Sequence, residues 1–593
     1  MRRGNDLRKS GKKAKYNIAS AFLSPSRWYF WFVFTAFVSI FLWFISYRFP
    51  FHGGDFPMFC DKLLIGNWHL HLNGPTPLRY SPYLCGGAPL YGDPEDIFFS
   101  LLQALAYLMD FWIAYNITIV FHLIIGYIAW MFVGRDVLHL KRSWAHLFAL
   151  IIISNGFYLS HIILGHATFL TFPLIGILAW CLLDRRTDTV RTLLTRTALF
   201  ALTCGWILYA GGYFVLMSFF VGMLYAIPAE ILWNGLHSAR SRTLVIRSMG
   251  FIVASLLIGA SKLMAIYSVM RFYPRKVDVW MTGGSIVSFP ILSVFWRIPQ
   301  SSIATMVIPG GFHEKSMLVS PVTFLGTLLA PLVLIKVGIN KTSQKWQIWK
   351  VARLFAFSVF TILYLWLMQQ MILGKGEVMP FLHELPILSS WRVNLRFLYV
   401  LLLFLSAASI WVLSIVLPFC FRRWEGVIVA LLSLITLASF YVGYANAIAS
   451  IFELSRSYND CKSIEQKFDR GRALLPVSKV SPKWQQYIDG ATGMRCPIAL
   501  YWIQNFPHST VLSTGNVFQT KENTFNLINP ACDAYPEANG CTPGSRIAVN
   551  DLQNFENFRN GLPVTWNISP QQHFSDWASF VMLIASLAIF AVL

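Results

Sequence analysis

The run RWYFWFVFTAFVSIFLWFISY, residues 27–47, is followed closely by Phe51-His-Gly-Gly-Asp-Phe56. The first stretch is long and apolar enough to cross a bilayer as a helix, which takes about 20 residues. Asp55 then sits where a span meets water. Gly53 and Gly54 before it let the backbone turn freely and come close to a ligand.

Reading outward, further apolar runs lie at about 113–133, 144–160, 164–183, 197–211, 213–233 and 248–268, and again at about 319–337, 354–373, 396–418, 426–446 and 576–593. The stretches 144–183 and 197–233 are short for paired spans and are also compatible with re-entrant hairpins. The chain is 56% hydrophobic and 13% charged, whereas an ordinary soluble domain carries about 25% charged residues. The net charge of +21 invites a nucleic-acid reading. The placement of the charges argues against it, because the basic residues gather in short loops between spans, the positive-inside pattern.

Those loops set a topology. Arg2, Arg3, Arg8, Lys9, Lys12, Lys13 and Lys15 put the N-terminus in the cytoplasm. Residues 1–26 lack a small-residue cleavage site after a short apolar core, so no removable signal peptide is expected. Twelve spans place the clusters at 135–142, 185–196, 240–247, 341–353 and 422–423 on that same side. The predicted fold class is an all-α polytopic membrane protein of about 12 transmembrane helices with a small C-terminal extracytoplasmic α/β domain. Its divisions are a cytoplasmic tail (1–26), a membrane domain (27–446) with a long outer loop (48–112), a soluble domain (447–575) and a last helix (576–593). In the soluble domain, Ile498–Ile503 and Ser509–Ser513 read as strands, and Asn529-Pro530 and Ala538-Asn-Gly540 as turns.

Six of the nine cysteines fall on the outer side: Cys60, Cys85, Cys461, Cys496, Cys532 and Cys541. An even number on an oxidising side permits disulfides, with free thiols the alternative. A Cys60–Cys85 bond would staple the first loop, and Cys532–Cys541 is the shortest closure among the rest. Cys181, Cys204 and Cys420 are expected to be unpaired. No paired-cysteine metal spacing occurs.

The outer loops carry two sets of charged groups. Asp55, Asp61, Asp93, Glu95 and Asp96 are acids beside apolar surface, where carboxylates act as bases or bind a divalent cation through oxygen. Asp93-Pro-Glu95 also has the form of a helix N-terminus. Asp55, with a span before it and Pro57 after, has no such capping role. The cations are Lys262 inside a span near its outer end, Arg271, Arg275 and Lys276 after it, and Arg392 and Arg396 at the start of a later span. A lysine within a membrane span is costly and points to function. Guanidinium and ammonium groups bind phosphate, while snorkelling to lipid headgroups is the plain alternative. His313-Glu314, His161 and His166 lie near the same outer face, where an interfacial hydrogen-bonding role is the plainer reading of a single histidine.

Together these stretches resemble the GT-C superfamily of polyprenyl-phosphate-sugar-dependent glycosyltransferases, and more narrowly the YfhO-type bacterial membrane glycosyltransferases. The resemblance rests on Gly53-Gly-Asp55 with Tyr83-Leu-Cys-Gly-Gly-Ala-Pro-Leu90, and on His161-Ile-Ile-Leu-Gly-His166 running into Leu178-Ala-Trp180. It continues through Lys262-Leu263 with Phe272-Tyr-Pro-Arg275, His313-Glu314, and Leu385-Pro-Ile-Leu-Ser-Ser-Trp-Arg392 with Arg396. Met264-Ala265 stand where that family's lysine segment has leucine-proline.

The resemblance implies an inverting transfer of a sugar from a polyprenyl-phosphate donor to a glycan, lipid or protein acceptor outside the cytoplasm. Asp55 would be the catalytic base. Lys262, Arg271, Arg275, Arg392 and Arg396 would bind the donor phosphate. Asp93, Asp96, Glu314, His313 and His166 are candidates for orienting the acceptor or holding a metal such as Mg or Mn, and the superfamily has members with and without one. The protein would reside in the inner (plasma) membrane, its site on the periplasmic or extracellular face, with no nucleic-acid partner. A transporter or flippase of lipid-linked saccharides is the alternative, and a non-catalytic assembly or sensing protein a third.

Overall fold

The computed structural model describes residues 25–47, 56–163, 165–184, 186, 189–235, 237–273, 319–339, 348–373, 380–381, 384, 394–451, 476–478, 492–493 and 511–592. Asp55, Arg275, His313, Glu314, Arg392, Cys461, Cys496, the basic tail to residue 24 and the expected strand Ile498–Ile503 lie outside the described residues.

The described chain is mostly helical. Before the C-terminal region it forms α1 (Pro25–Tyr47), α2 (Phe56–Asn73), α3 (Leu101–Leu108), α4 (Phe111–Phe132), α5 (Arg142–Ile153), α6 (Gly156–Ile163) and α7 (Ile175–Leu183). It continues with α8 (Val190–Tyr209), α9 (Tyr213–Asn234), α10 (Ala239–Met270), α11 (Pro321–Ile339), α12 (Ile348–Leu373), α13 (Leu398–Cys420) and α14 (Glu425–Ile451).

Helix starts follow their capping residues. Ser100 accepts from the Gln103 amide, Asp110 from those of Trp112 and Ile113, and Ser238 from that of Ser241, while Thr189 and Thr192 form a reciprocal box. Each such cap satisfies amides that would otherwise lack a partner, worth about 1 kcal/mol.

Eight described helices are long and apolar enough to cross a membrane. α5 and α6 would make a ninth span if joined, but the chain bends by 44° between them. α8 and α9 have full spanning length, so neither needs the hairpin reading. α1, α7 and α11 stand at other expected positions, with shorter apolar stretches among the described residues. Hydroxyl pairs tie α11 into the bundle: Thr327 meets Ser409 at 3.0 Å, and Ser320 meets Thr436 at 2.9 Å. Such contacts between membrane helices average about 0.6 kcal/mol each.

The C-terminal region holds two small sheets. One has β1 (Pro476–Ser478) between parallel β2 (Thr492–Gly493) and antiparallel β3 (Gly515–Asn516). The other pairs β4 (Thr524–Ile528) with β5 (Arg546–Ala548), antiparallel, with a bulge. Val511–Ser513, expected in a strand, are not in one. Asn529 caps α15 (Pro530–Ala534), and Gly540, in the left-handed region, ends α16 (Pro536–Asn539). α17 (Leu552–Arg559) follows, and α18 (Pro570–Val592) runs back along the bundle beside α8 and α10.

The described residues after 510 share their core with the first loop. Tyr83, Leu84, Cys85, Ala88 and Leu90 pack with Leu527, Ile528, Tyr535, Ile547 and Phe555, and with Ile266, Val269 and Met270 at the end of α10. The Phe525 and Phe555 rings stack at 3.8 Å. Gly86 and Gly87 have φ of 71° and 130°, and the Gly86 carbonyl accepts from the Ile528 amide at 2.8 Å. A Cβ on Gly87 would lie 2.5 Å from the Ile528 carbonyl oxygen, so only glycine allows this approach. The loop and the C-terminal region therefore form one cap over one end of the bundle.

Cys532–Cys541 is bonded. Cys60 and Cys85 are each disulfide-bonded as well. Cys60 packs in the bundle core and Cys85 in the cap core. Cys181, Cys204 and Cys420 are free thiols.

Candidate functional site

The segment Tyr91-Gly-Asp-Pro-Glu-Asp96 leaves a 3-10 turn at Leu90–Gly92 and bends beneath the cap without starting an α-helix. Asp93 Oδ1 accepts from the Glu95 amide and Asp96 Oδ1 from the Phe98 amide, each at 3.1 Å. The expected helix cap at Asp93-Pro-Glu95 is not made. The next helix begins at Leu101, capped by Ser100. The two aspartates bend the backbone locally and point their second oxygens inward.

Both second oxygens meet lysines. Lys62 Nζ lies 2.7 Å from Asp93 Oδ2 and donates to the Glu95 carbonyl at 2.9 Å. Lys262 Nζ lies 3.1 Å from Asp96 Oδ2, donates to the Tyr91 carbonyl at 3.0 Å and stands over the Tyr91 ring. All four charged side chains are buried. Burial alone would lower the Lys62 pKa, but the Asp93 and Glu95 charges and the Asp93 hydrogen bond outweigh it and raise it above its ordinary value. Lys262, expected to bind a donor phosphate, is in this geometry the counter-ion of Asp96.

A third network extends the site to the last helix. The Tyr91 hydroxyl meets Ser261 Oγ at 2.6 Å, Ser261 Oγ donates to Asp576, and Arg79 pairs with the same carboxylate. Gln572 donates to Asp576 at 2.7 Å and to the Ser261 carbonyl at 2.9 Å, and accepts from the Tyr535 hydroxyl at 3.1 Å. The first loop, α10, the cap and α18 thus share one hydrogen-bonded centre.

Across a double-glycine turn lie the histidines. Gly211 has φ 75°, and a Cβ there would stand 3.1 Å from both the Asp96 carbonyl oxygen and Thr168 Cγ2. The acidic turn and the 166–169 turn are therefore neighbours. Around Phe169 sit His161 at 4.2 Å between ring centroids, His166 at 5.9 Å, and the Arg396 guanidinium at 5.2 Å. The His161 and His166 rings are 5.1 Å apart. His161 Nδ1 lies 2.7 Å from the Phe157 carbonyl, which can only accept, so the neutral ring carries its proton there and presents Nε2 as the basic nitrogen.

The sequence candidates divide accordingly. Asp93, Asp96, Lys262, His161, His166 and Arg396 come together. Arg271 does not: it pairs with Glu537 of the cap at 3.2 Å on a largely exposed surface. Tyr273, two residues on, donates to Asp533 at 2.8 Å. Among the described residues, no three His, Cys, Asp or Glu side chains group as a metal site. Asp93 and Asp96 fit a cation poorly, since an ammonium already holds each.

Lys62, Arg79, Ser261, Gln572 and Asp576 escaped the sequence reading. Asp576 left a signal: it is an acid within a span of otherwise high hydropathy, where a charge calls for a partner. Lys62 left less, because its helix is too polar to read as a membrane span and its partner is 31 residues away. Compared with protein families, curated proteins and solved structures, the chain matches none of them.

Proposed function

We propose that this chain is a polytopic membrane glycosyltransferase of the GT-C, YfhO-like kind, moving a sugar with inversion from a polyprenyl-phosphate donor to a glycan, lipid or protein acceptor. The observation that carries the reading is the convergence beneath the cap of buried acids, lysines, two histidines and Arg396. α2 begins one residue after Asp55, and its Lys62 bonds the acidic turn. The spans expected by sequence number about twelve, in the plasma membrane, with the N-terminus cytoplasmic and the cap on the other side.

In this reading Asp55 takes the proton from the acceptor hydroxyl as that oxygen attacks the anomeric carbon. The phosphate departs with its negative charge, and Arg396, with Arg392 and Arg275, balances it. Lys262 and Lys62 fix the acidic turn and so position the site rather than bind the donor. His161 and His166 orient the acceptor. Glu314 and His313 remain proposed acceptor or cation ligands.

The test is a transfer assay on the purified protein with a polyprenyl-phosphate sugar, scored for a new glycosidic bond of inverted configuration. Asp55→Asn should reduce the rate by roughly 100- to 10,000-fold at unchanged protein level. Full activity in that variant would remove the base assignment. The bend between α5 and α6 favours a second reading, since broken helices are common in transporters. Flux of a lipid-linked saccharide across proteoliposomes without bond formation would establish it instead.

A further inference from the structure

At the opposite end of the bundle, among the basic loops, the ends of α9, α10, α12 and α13 enclose a cleft of about 880 Å³. Its wall is apolar, with Ala229, Trp233, Phe357, Ala408, Trp411 and Ile415. Trp233 and Trp411 are 59% and 44% exposed, so they line open space. Its rim is charged. Lys141, Arg186, Arg240 and Arg247 stand there against two carboxylates, Asp184 and Glu230.

The four cations differ in role. Arg247 is buried and donates to the carbonyls of Leu182, Asp184 and Arg186, which fixes the rim loop. Lys141 pairs with Glu425 at 2.6 Å. Arg186 reaches Asp184 at 2.7 Å and Asp136 at 3.3 Å with 57% of its side chain exposed. Arg240 pairs with Glu230 and keeps 28% exposed. Arg186 and Arg240 thus keep part of their side chains exposed. Asp136 is also held by Arg135 and Asp184 by Arg196, so six cations (Lys141, Arg135, Arg186, Arg196, Arg240 and Arg247) stand against four carboxylates (Asp136, Asp184, Glu230 and Glu425), a net positive balance.

From this we infer a second site, which binds a glycerophospholipid with an anionic headgroup. The phosphodiester lies between Arg186 and Arg240, where a planar guanidinium fork matches phosphate oxygens. The acyl chains lie along Trp233, Phe357 and Trp411, at the level where tryptophan sits in a membrane interface. A phosphate ion alone leaves most of the cleft unfilled, and a neutral lipid leaves the positive rim unbalanced. This site is independent of the cap-end chemistry and stands or falls without it.

The experiment uses the full chain in neutral detergent, with thermal melting and native mass spectrometry as readouts. Phosphatidylglycerol should raise the melting temperature and appear as a bound adduct, and phosphatidylcholine at the same concentration should do neither. The variant Arg186→Gln/Arg240→Gln should need at least tenfold more phosphatidylglycerol for the same shift. Ala408→Trp fills the cleft from its apolar wall and should abolish the adduct while the protein elutes and melts as the wild type does without lipid. Three results would overturn the proposal: equal response to both lipids, the same shift from glycerol 3-phosphate alone, or an unchanged adduct in Ala408→Trp.

Discussion

Lys62 and Asp93 meet at 2.7 Å with both side chains shut away from water. Taking two charges out of water costs several kcal/mol each, and their mutual attraction repays it only while both are present. Lys62→Met should therefore leave a buried, unpaired carboxylate and cost about 3–5 kcal/mol. Asp93→Leu should cost a similar amount. The double variant should be more stable than the sum of the two losses, though below wild type, because Asp93 also accepts from the Glu95 amide. Tryptophan-fluorescence melts of the four proteins in detergent give the coupling, and strictly additive losses would mean that the pair has no special standing.

The contrast between Lys262 and Asp93 shows how much of this site could be read from the chain. Lys262 announced itself because an ammonium inside an apolar span has few reasons to be there. Its partner did not, since Asp96 lies 166 residues away and loop acids are common. Asp93 was legible as a capping residue because Asp-Pro-Glu satisfies every local rule for a helix start. A tertiary contact, the Lys62 ammonium, claimed that carboxylate instead. Eight of the expected spans were legible for a stricter reason: in lipid each backbone polar group must be satisfied internally, so a long apolar run has little choice but a helix. The cap was not, because its core joins residues near 85 to residues near 528 through glycines whose φ no hydrophobic pattern reveals.

Cys60 and Cys85 are bonded, Cys532 holds Cys541, and Cys181, Cys204 and Cys420 are free thiols. The remaining outer cysteines of the sequence are Cys461 and Cys496, outside the described residues. The Gly86 amide donates to Thr492 Oγ1 at 3.0 Å, and Thr492 is four residues before Cys496. Peptide mapping without reduction should accordingly yield Cys85–Cys496 and Cys60–Cys461. Recovery of a Cys60–Cys85 peptide would restore the simpler staple.

Acid should loosen the cap through His69. Its Nε2 lies 3.0 Å from the Thr76 carbonyl, and the Asn73 side-chain amide donates to its Nδ1 at 3.1 Å. Burial lowers its pKa below the ordinary 6.5, partly offset by the Thr76 contact. A group whose folded pKa is depressed is held neutral by the fold, so its contribution is present above the unfolded value and is lost as pH falls through it. Protonation of Nδ1 also removes the acceptor that Asn73 uses. Hydrogen exchange in residues 69–76 should quicken as the pH drops from about 7.5 to 5, after correction for the intrinsic rate. His69→Gln, which does not titrate, should show a flatter pH dependence.

Gly211, at φ 75°, lies against the Asp96 carbonyl and Thr168 Cγ2, so it joins the acidic turn to the turn that carries His166. Alanine there must adopt a left-handed backbone at a cost of roughly 1–2 kcal/mol, and its methyl group presses the two turns apart. A methyl group on Gly250, within α10, would meet nothing within 4 Å. Alanine there keeps its helical φ and removes glycine's entropic penalty, a gain of roughly 0.5–1 kcal/mol. Gly211→Ala should thus melt lower and Gly250→Ala slightly higher than wild type. If the cap-end residues act on a substrate together, Gly211→Ala should also lose more sugar transfer than its loss of folded protein explains, while Gly250→Ala keeps wild-type transfer. Equal stability in the two variants would mean that the turn relaxes freely and that the acidic and histidine turns are not rigidly joined.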